Sequence, residues 1–177
     1  MIPAGYTVKI IKEKDDWLKA SNVKNIYSVS ECISKCPIDH YDHWKFNSLV
    51  FYDNEKILEE LLVKDVINKS ELTWFYYEIF EKEILNGDWK DYETEDLNVE
   101  QPNSYKLKGF DIACYSNGNS HDCSPLSCNN GAEVFEVNEF CLINKLEDAI
   151  KVAEKIDKGG GYEPGPYRIL RVHQKIK

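Results

Sequence analysis

Residues 72–92 read LTWFYYEIFEKEILNGDWKDY, and their pattern can be interpreted as a strand or as a helix. Its aromatic run, which begins at Trp74, favours a strand, because aromatic side chains pack well on a pleated surface. The dipeptide Asn86-Gly87 favours a tight reversal with positive φ, so the residues after it are expected to return as the second strand of a hairpin. The apolar residues also satisfy helical spacing, and a helix capped by Ser70 is the alternative.

Further strands are predicted where short apolar runs are bounded by turn residues or charged residues. These runs are residues 6–11, 105–115, 132–137 and 167–172.

Two amphipathic helices are predicted from apolar residues that recur every three or four positions. The first covers residues 55–67, and either Asp53 or Asn54 can cap its first turn. The second begins with a capping-box spacing from Asn144 to Glu147 and ends at the glycine run 159–161.

Long non-helical runs between two firm helices are typical of an α+β fold. The sequence therefore predicts a single α+β domain over residues 1–177. Its sheet is expected to be mainly antiparallel or mixed, with about two to three helices packed on one face. No internal repeat is visible in the sequence.

The charge of the chain limits its partners. Of its 177 residues, 22 are basic and 31 are acidic, which gives a formal net charge of −9 that would repel a nucleic-acid backbone. The N-terminus has no basic leader followed by an apolar stretch, and no run approaches the roughly 18 apolar residues that cross a bilayer. We expect a cytoplasmic protein with reduced cysteines and with neither a nucleic acid nor a membrane as partner.

Residues 110–128 concentrate three of the six cysteines and one of the four histidines. Zinc takes about four nitrogen or sulfur ligands in a tetrahedral arrangement, and a turn-rich loop can bring such side chains together. The predicted ligands are Cys114, His121, Cys123 and Cys128, with Cys141 in reserve. The spacing matches no recurring zinc motif, so the opposing interpretation is a small buried Cys114 and ordinary loop cysteines.

A second group consists of Cys32, Cys36, His40 and His43. Pro37 interrupts the helix that would align them, so neither a metal site nor a redox pair is expected within this group. The sequence predicts that the two cysteines lie in the core and that the two histidines lie on a partly exposed element.

A cysteine nucleophile is the other chemical interpretation of residues 110–128. Cys123 or Cys128 would attack with His121 as the base, which requires the thiol and the imidazole to lie within hydrogen-bond reach. No donors for a developing oxyanion are recognisable in the sequence. The glycine run 159–161 follows the end of a helix, so it is not a phosphate-binding loop.

The acidic and aromatic stretch between residues 74 and 100 predicts a surface for a basic protein partner. Aromatic side chains supply contact area and carboxylates accelerate the encounter. The side chains predicted to bind are Trp74, Tyr76, Glu78, Glu81, Trp89 and Glu93. The alternative is that these charges only keep an exposed segment in water.

The sequence thus leaves two functions open. One is a non-catalytic interaction protein that engages a basic partner. The other is a metal-dependent or cysteine-dependent enzyme centred on residues 114–128.

Overall fold

A computed structural model gives the fold, and it describes residues 1–38, 45–65, 68–92, 97–116, 118, 120–159 and 161–176. The strands are β1 (Ile2–Ile10), β2 (Leu72–Leu85), β3 (Asp88–Asp91), β4 (Tyr105–Cys114) and β5 (Tyr167–Lys175). The helices are α1 (Glu55–Lys64), α2 (Pro125–Cys128), α3 (Gly131–Val134) and α4 (Leu146–Lys158). The predicted α+β class is confirmed, and two of the four α-helices in the described ranges, α2 and α3, are single turns.

The five strands form one sheet in the order β1-β2-β5-β4, and β3 pairs with the end of β2. Every pairing between these strands is antiparallel. The predicted hairpin is confirmed, since Asn86 and Gly87 both have positive φ in the turn between β2 and β3. Both turn amides donate to the carboxylate of Asp157 in α4, which fixes the hairpin against that helix.

The two longer helices begin differently. The side chain of Asn54 accepts a hydrogen bond from the amide of Ile57, so the predicted cap of α1 is confirmed. The capping box predicted for α4 is wrong, because Lys145 occupies the cap position and makes no side-chain cap bond. The side chain of Asn144 instead accepts a hydrogen bond from Asn138. Of the helix predicted over residues 55–67, the last two residues lie outside the described residues.

The strand predicted over residues 132–137 is also wrong. Residues 131–134 form the single turn α3, which follows Asn130 in the left-handed conformation. Gly131 makes this turn possible, because a Cβ there would lie 2.6 Å from the carbonyl oxygen of Pro125. Val134 is 73% exposed, so the apolar run does not mark a buried strand.

The structure reveals an internal repeat that the sequence does not show. Gly5 in β1 and Gly109 in β4 each follow a bulge in the edge strand of the sheet. Gly5 pairs with Tyr77 of β2, and Gly109 pairs with Val172 of β5. In both strand pairs, therefore, the glycine after the bulge in the edge strand lies opposite a residue of the neighbouring central strand.

A matching asparagine loop precedes the long helix in each half. The Nδ2 of Asn47 donates to the carbonyl oxygen of Ala4 at 2.9 Å, and the Nδ2 of Asn138 donates to that of Lys108 at 2.8 Å. In both loops the asparagine Oδ1 accepts from the amides two and four residues later. The chain thus repeats a unit of strand, asparagine loop, helix and strand around a pseudo-twofold axis between β2 and β5.

The two faces of the sheet are covered in different ways. The helix α1 packs on Tyr6 and Tyr76, while α4 packs on Ile112 and Ile169. The strand registers place all four of these side chains on one face, as the sequence predicts for the helices. Connecting segments cover the opposite face, which carries Lys9. None of the described helices is both long enough and apolar enough to cross a membrane.

Candidate metal centre

Two insertions into the repeated units meet on the face of the sheet opposite the long helices. The insertion after β1 carries Cys32, and the insertion after β4 carries Cys123 and Cys128. The three Sγ atoms all lie within 4.8 Å of one another, and those of Cys32 and Cys123 are 3.6 Å apart. Cys32 is exposed, whereas the other two cysteines are half-buried.

The thiol cluster (Cys32, Cys123 and Cys128) is held by one buried hydroxyl. The Oγ of Ser30 accepts from the amide of Cys32 at 3.2 Å and from the Sγ of Cys128 at 3.5 Å. The same Oγ donates to the carbonyl oxygen of Asp122 at 2.9 Å. Ser30 therefore ties the two insertions together directly beside the three sulfur atoms.

The turn that carries Ser30 is fixed by a lysine from β1. Lys9 is 1% exposed, and its ammonium donates to the carbonyl oxygens of Ser28, Val29 and Ser30. Burial lowers the pKa of Lys9 to about 8. Its three carbonyl partners satisfy the three donors of the ammonium, so its role is to fix this turn.

A buried carboxylate from β4 contacts the same turn. One oxygen of Asp111 accepts from the amide of Val29 at 2.7 Å and from the hydroxyl of Ser28 at 3.1 Å. The other accepts from the hydroxyl of Ser124 at 2.6 Å and from the amide of Ile112 at 2.9 Å. Burial raises the pKa of Asp111, and these hydrogen bonds oppose that rise.

A cavity of about 650 Å³ opens beside the thiol cluster. Its wall includes Cys32 and Cys123 together with the titratable side chains of Glu31, His121 and Asp122. The rings of Phe46 and Phe51 supply an apolar part of the wall. An ion held by the three thiols would therefore lie at the edge of a space large enough for a small molecule.

The structure brings together only part of the predicted ligand set. Cys123 and Cys128 lie in the cluster, but Cys114 is fully buried and its thiol donates to the carbonyl oxygen of Pro164. Cys114 lies on the same face of β4 as Phe110 and Ile112, which α4 covers. Its strand position therefore directs it away from the cluster.

His121 lies on the cavity wall and not in the thiol cluster. Its ring stacks on Phe51 with centroids 5.3 Å apart, and its buried Nδ1 has no hydrogen-bond partner among the described residues. Burial lowers the pKa of His121 to about 3, so the imidazole is neutral at physiological pH. Cys141 is likewise outside the cluster, since its thiol contacts the carbonyl oxygen of Leu126.

Sequence reasoning missed Cys32 as a member of the cluster. The sequence places it in the core with Cys36, but Cys32 is exposed. Cys36 is partly buried and packs against the core around Tyr6 and Tyr52, as predicted. His40 and His43 lie outside the described residues. No local pattern marks Cys32, because its partner Cys123 lies 91 positions away.

The thiol pKa values separate the two chemical interpretations. Burial raises the pKa of both Cys123 and Cys128, so both are protonated near neutral pH in the absence of a metal. A catalytic cysteine nucleophile needs the opposite shift. A bound metal ion displaces the protons and turns the thiols into ligands. The arrangement therefore favours metal binding over nucleophilic catalysis.

The side chains predicted to bind a partner are spread over β2 and its surroundings. Tyr76 is only 2% exposed, while Trp74 and Trp89 are partly buried. Glu78 accepts from Arg171 and His173, Glu81 accepts from the N-terminal amino group, and Trp89 donates to Glu154. Glu93 lies outside the described residues. Binding of a basic partner by this segment stays a prediction.

The chain was compared with protein families, with curated proteins and with solved structures, and none of them matches it.

Proposed function

We propose that this protein is a zinc-dependent enzyme whose metal is bound by Cys32, Cys123 and Cys128. The observation that carries the proposal is the approach of three Sγ atoms to within 4.8 Å of one another, two of them, those of Cys32 and Cys123, on the wall of a cavity. Zinc–sulfur bonds of about 2.3 Å in a tetrahedron place the sulfur atoms roughly 3.8 Å apart. The 3.6 Å between Cys32 and Cys123 is close to that spacing.

The ligand type supports zinc over the hard cations. Thiolates are soft ligands that select zinc and copper(I), whereas calcium and magnesium need oxygen ligands. Two insertions supply the three thiols, so an ion would also crosslink the two repeated units. Such a crosslink makes metal binding part of the folding free energy.

The position of the cluster supports a catalytic centre over a purely structural one. Structural zinc sites are closed by four protein ligands, whereas catalytic sites have three and leave one position for water or substrate. Among the described residues the cluster contains three ligands, and the cavity begins beside it.

Zinc would act there as a Lewis acid and would lower the pKa of a bound water molecule. Glu31 and Asp122 share the cavity wall with His121 and are the candidates for proton transfer. The lowered pKa of about 3 makes the neutral imidazole of His121 a weak base, so its role there would be to hydrogen-bond a ligand.

Metal analysis and cobalt substitution test the proposal. Purified protein reconstituted with one equivalent of zinc should retain it after desalting. Protein loaded with cobalt(II) should show thiolate-to-cobalt charge-transfer absorption and the intense visible bands of a tetrahedral ion. Substitution of any one of the three cysteines by serine should weaken zinc binding at least tenfold and change the cobalt spectrum.

Cys114→Ala is the matched control, because the sequence places Cys114 in the site and the structure does not. It should bind zinc as tightly as the wild type. Tight zinc binding that survives Cys32→Ser but is lost in Cys114→Ala would contradict the proposed ligand set. A wild-type protein that retains neither zinc nor cobalt would contradict the proposal altogether.

The interaction with a basic partner is a separate proposal that rests on the net charge of −9. It does not involve the thiol cluster. Affinity capture tests it independently: a basic protein should bind at low salt and be released at high salt.

A further inference from the structure

We propose that Cys32 and Cys123 also form a redox-active dithiol that reacts with low-molecular-weight disulfides. Their Sγ atoms are 3.6 Å apart and in direct contact. A disulfide bond needs about 2 Å between the sulfur atoms. Side-chain rotations that bring the two sulfurs about 1.5 Å closer would therefore allow the bond to form. The pair comes from two different insertions, so the fold and not local sequence brings the sulfurs together.

The backbones on both sides of the pair are held in place. The amide of Cys32 donates to the Oγ of Ser30, which is itself fully buried. The carbonyl oxygen of Cys123 accepts a hydrogen bond from the amide of Cys114 at 2.8 Å. This bond holds Cys123 against the end of β4. The short distance between the sulfurs is thus a property of the folded protein.

The six cysteines differ in their access to an oxidant. Cys32 is the exposed one, while Cys36, Cys123 and Cys128 are partly buried and the remaining two are buried. Those two buried thiols contact main-chain carbonyl oxygens. An incoming disulfide therefore meets Cys32 first.

The reaction has two exchange steps. The thiolate of Cys32 attacks one sulfur of the small disulfide, forms a mixed disulfide and expels one small thiolate. The thiol of Cys123 then gives up its proton as its sulfur attacks the Sγ of Cys32, which closes the intramolecular disulfide and releases the second small molecule as a thiol. The protein loses two protons and two electrons, and the small disulfide gains them as two thiol molecules.

The product would regulate the site. A disulfide between Cys32 and Cys123 removes two of the three proposed zinc ligands, so oxidation should release the metal. This consequence rests on the proposed zinc centre, whereas the reactivity of the thiol pair does not. The new bond also joins residues 91 positions apart, so the oxidised protein should unfold at a higher temperature.

Oxidised glutathione serves as the probe, and metal-free protein is the first sample. Peptide mapping after an acid quench should find the Cys32–Cys123 disulfide, with two molecules of glutathione released per chain. Cys123→Ser should stop at a mixed disulfide on Cys32. Cys32→Ser should react at least tenfold more slowly than the wild type, and Cys128→Ser should still form the disulfide.

Two results would overturn the dithiol. One is a disulfide of Cys32 with Cys128 instead of Cys123, and the other is equal reactivity of Cys32→Ser and the wild type. The second sample is zinc-loaded protein, in which a chromophoric chelator measures the metal released by the probe. Disulfide formation without any zinc binding would contradict the proposed zinc centre but not the dithiol. Zinc binding without disulfide formation would contradict the dithiol but not the zinc centre.

Discussion

Lys9 and Asp111 hold the same turn from opposite ends of the sheet. The Lys9 ammonium donates to the carbonyl oxygens of the turn at residues 28–30, and the Asp111 carboxylate accepts from the amide of Val29 in the middle of it. These two residues belong to β1 and β4, the outer strands of the two repeated units. Their opposite charges are buried, and Ser30 at the end of the turn reaches the thiol cluster.

Replacement of Lys9 by methionine should damage both stability and metal binding. The three carbonyl oxygens would lose their shared donor and the Asp111 carboxylate would lose a compensating charge, so we expect a loss of about 3 kcal/mol in the free energy of unfolding. Zinc affinity should fall at least tenfold, because Ser30 loses its fixed position. Denaturant unfolding and chelator competition measure the two effects.

Lys14→Met is the control for this variant. Lys14 donates to the carbonyl oxygen of Ala20 at 3.0 Å, which is outside the turn at residues 28–30, and it is only partly buried. It should lose less than about 1 kcal/mol and should bind zinc normally. Equal effects of the two substitutions would show that Lys9 does not position the site.

Zinc binding should release protons, because each thiol ligand must be deprotonated. Burial raises the pKa of Cys123 and Cys128, so at least these two thiols give up a proton at pH 7. We therefore expect at least two protons per zinc ion and an affinity that rises at least ~100-fold per pH unit between pH 6 and 7. Titration in dilute buffer with a pH indicator counts the protons directly. Release of fewer than one proton would contradict thiolate ligation.

The parts of the fold that are visible in the sequence are those with a local physical cause. Asn86 and Gly87 accept positive φ, and the Asn54 side chain fits the first turn of a helix. By contrast, residues 132–137 resemble a strand in composition, but Gly131 allows a helical turn to pack on α2 instead. Tertiary packing determines the secondary structure of that segment, and the strand propensity of its residues does not predict it.

The repeat is hidden because few of its positions require a particular residue. Gly5 and Gly109 need backbone freedom, while Asn47 and Asn138 need a side-chain amide that bonds the main chain. Other matching contacts are made by the backbone, such as the pairing of Tyr6 with Tyr52 and of Phe110 with Ile143, and many different side chains satisfy them.

The candidate site was only half predictable for a related reason. Cys123 and Cys128 stand out by their closeness in the sequence, but the same criterion wrongly includes Cys114, which β4 turns toward α4. Cys32 joins the cluster through the packing of two insertions. Such long-range contacts leave no periodic or spacing signal in a single sequence.

The two bulge glycines should be equally intolerant of substitution. An added Cβ would lie 2.6 Å from the carbonyl oxygen of Tyr52 at Gly5, and 2.7 Å from that of Ile143 at Gly109. The φ angles are +132° and +147°, which side chains rarely adopt. Alanine at either position should therefore cost about 3 kcal/mol of unfolding free energy.

Gly161→Ala is the control for the two glycines, since an added Cβ there meets no atom within 4 Å. Its effect should stay within about 0.5 kcal/mol. The comparison is made by denaturant unfolding of all three variants. If Gly5→Ala proved destabilising and Gly109→Ala neutral, the two units would not be energetically equivalent.

The ion pairs of Glu78 should make the free energy of unfolding fall at acidic pH. Its Oε2 accepts from Arg171 at 3.0 Å and from His173 at 2.9 Å. Burial alone would raise the pKa of Glu78, but these two partners outweigh it and hold the pKa below its ordinary value of 4.5. Because the folded state has the lower pKa, the stabilisation is present above pH 4.5 and is lost as the pH falls through the folded value.

Glu78→Gln should therefore cost about 2 kcal/mol at pH 7, and the difference from the wild type should shrink steadily as the pH falls below 4.5. Glu81→Gln is the control on the same strand, because Glu81 is exposed and its ion pair among the described residues is with the N-terminal amino group, 3.2 Å away. It should follow the wild-type curve at every pH. A gap between Glu78→Gln and the wild type that stayed constant from pH 7 to pH 2 would mean that packing of the side chain, and not its charge, supplies the stability.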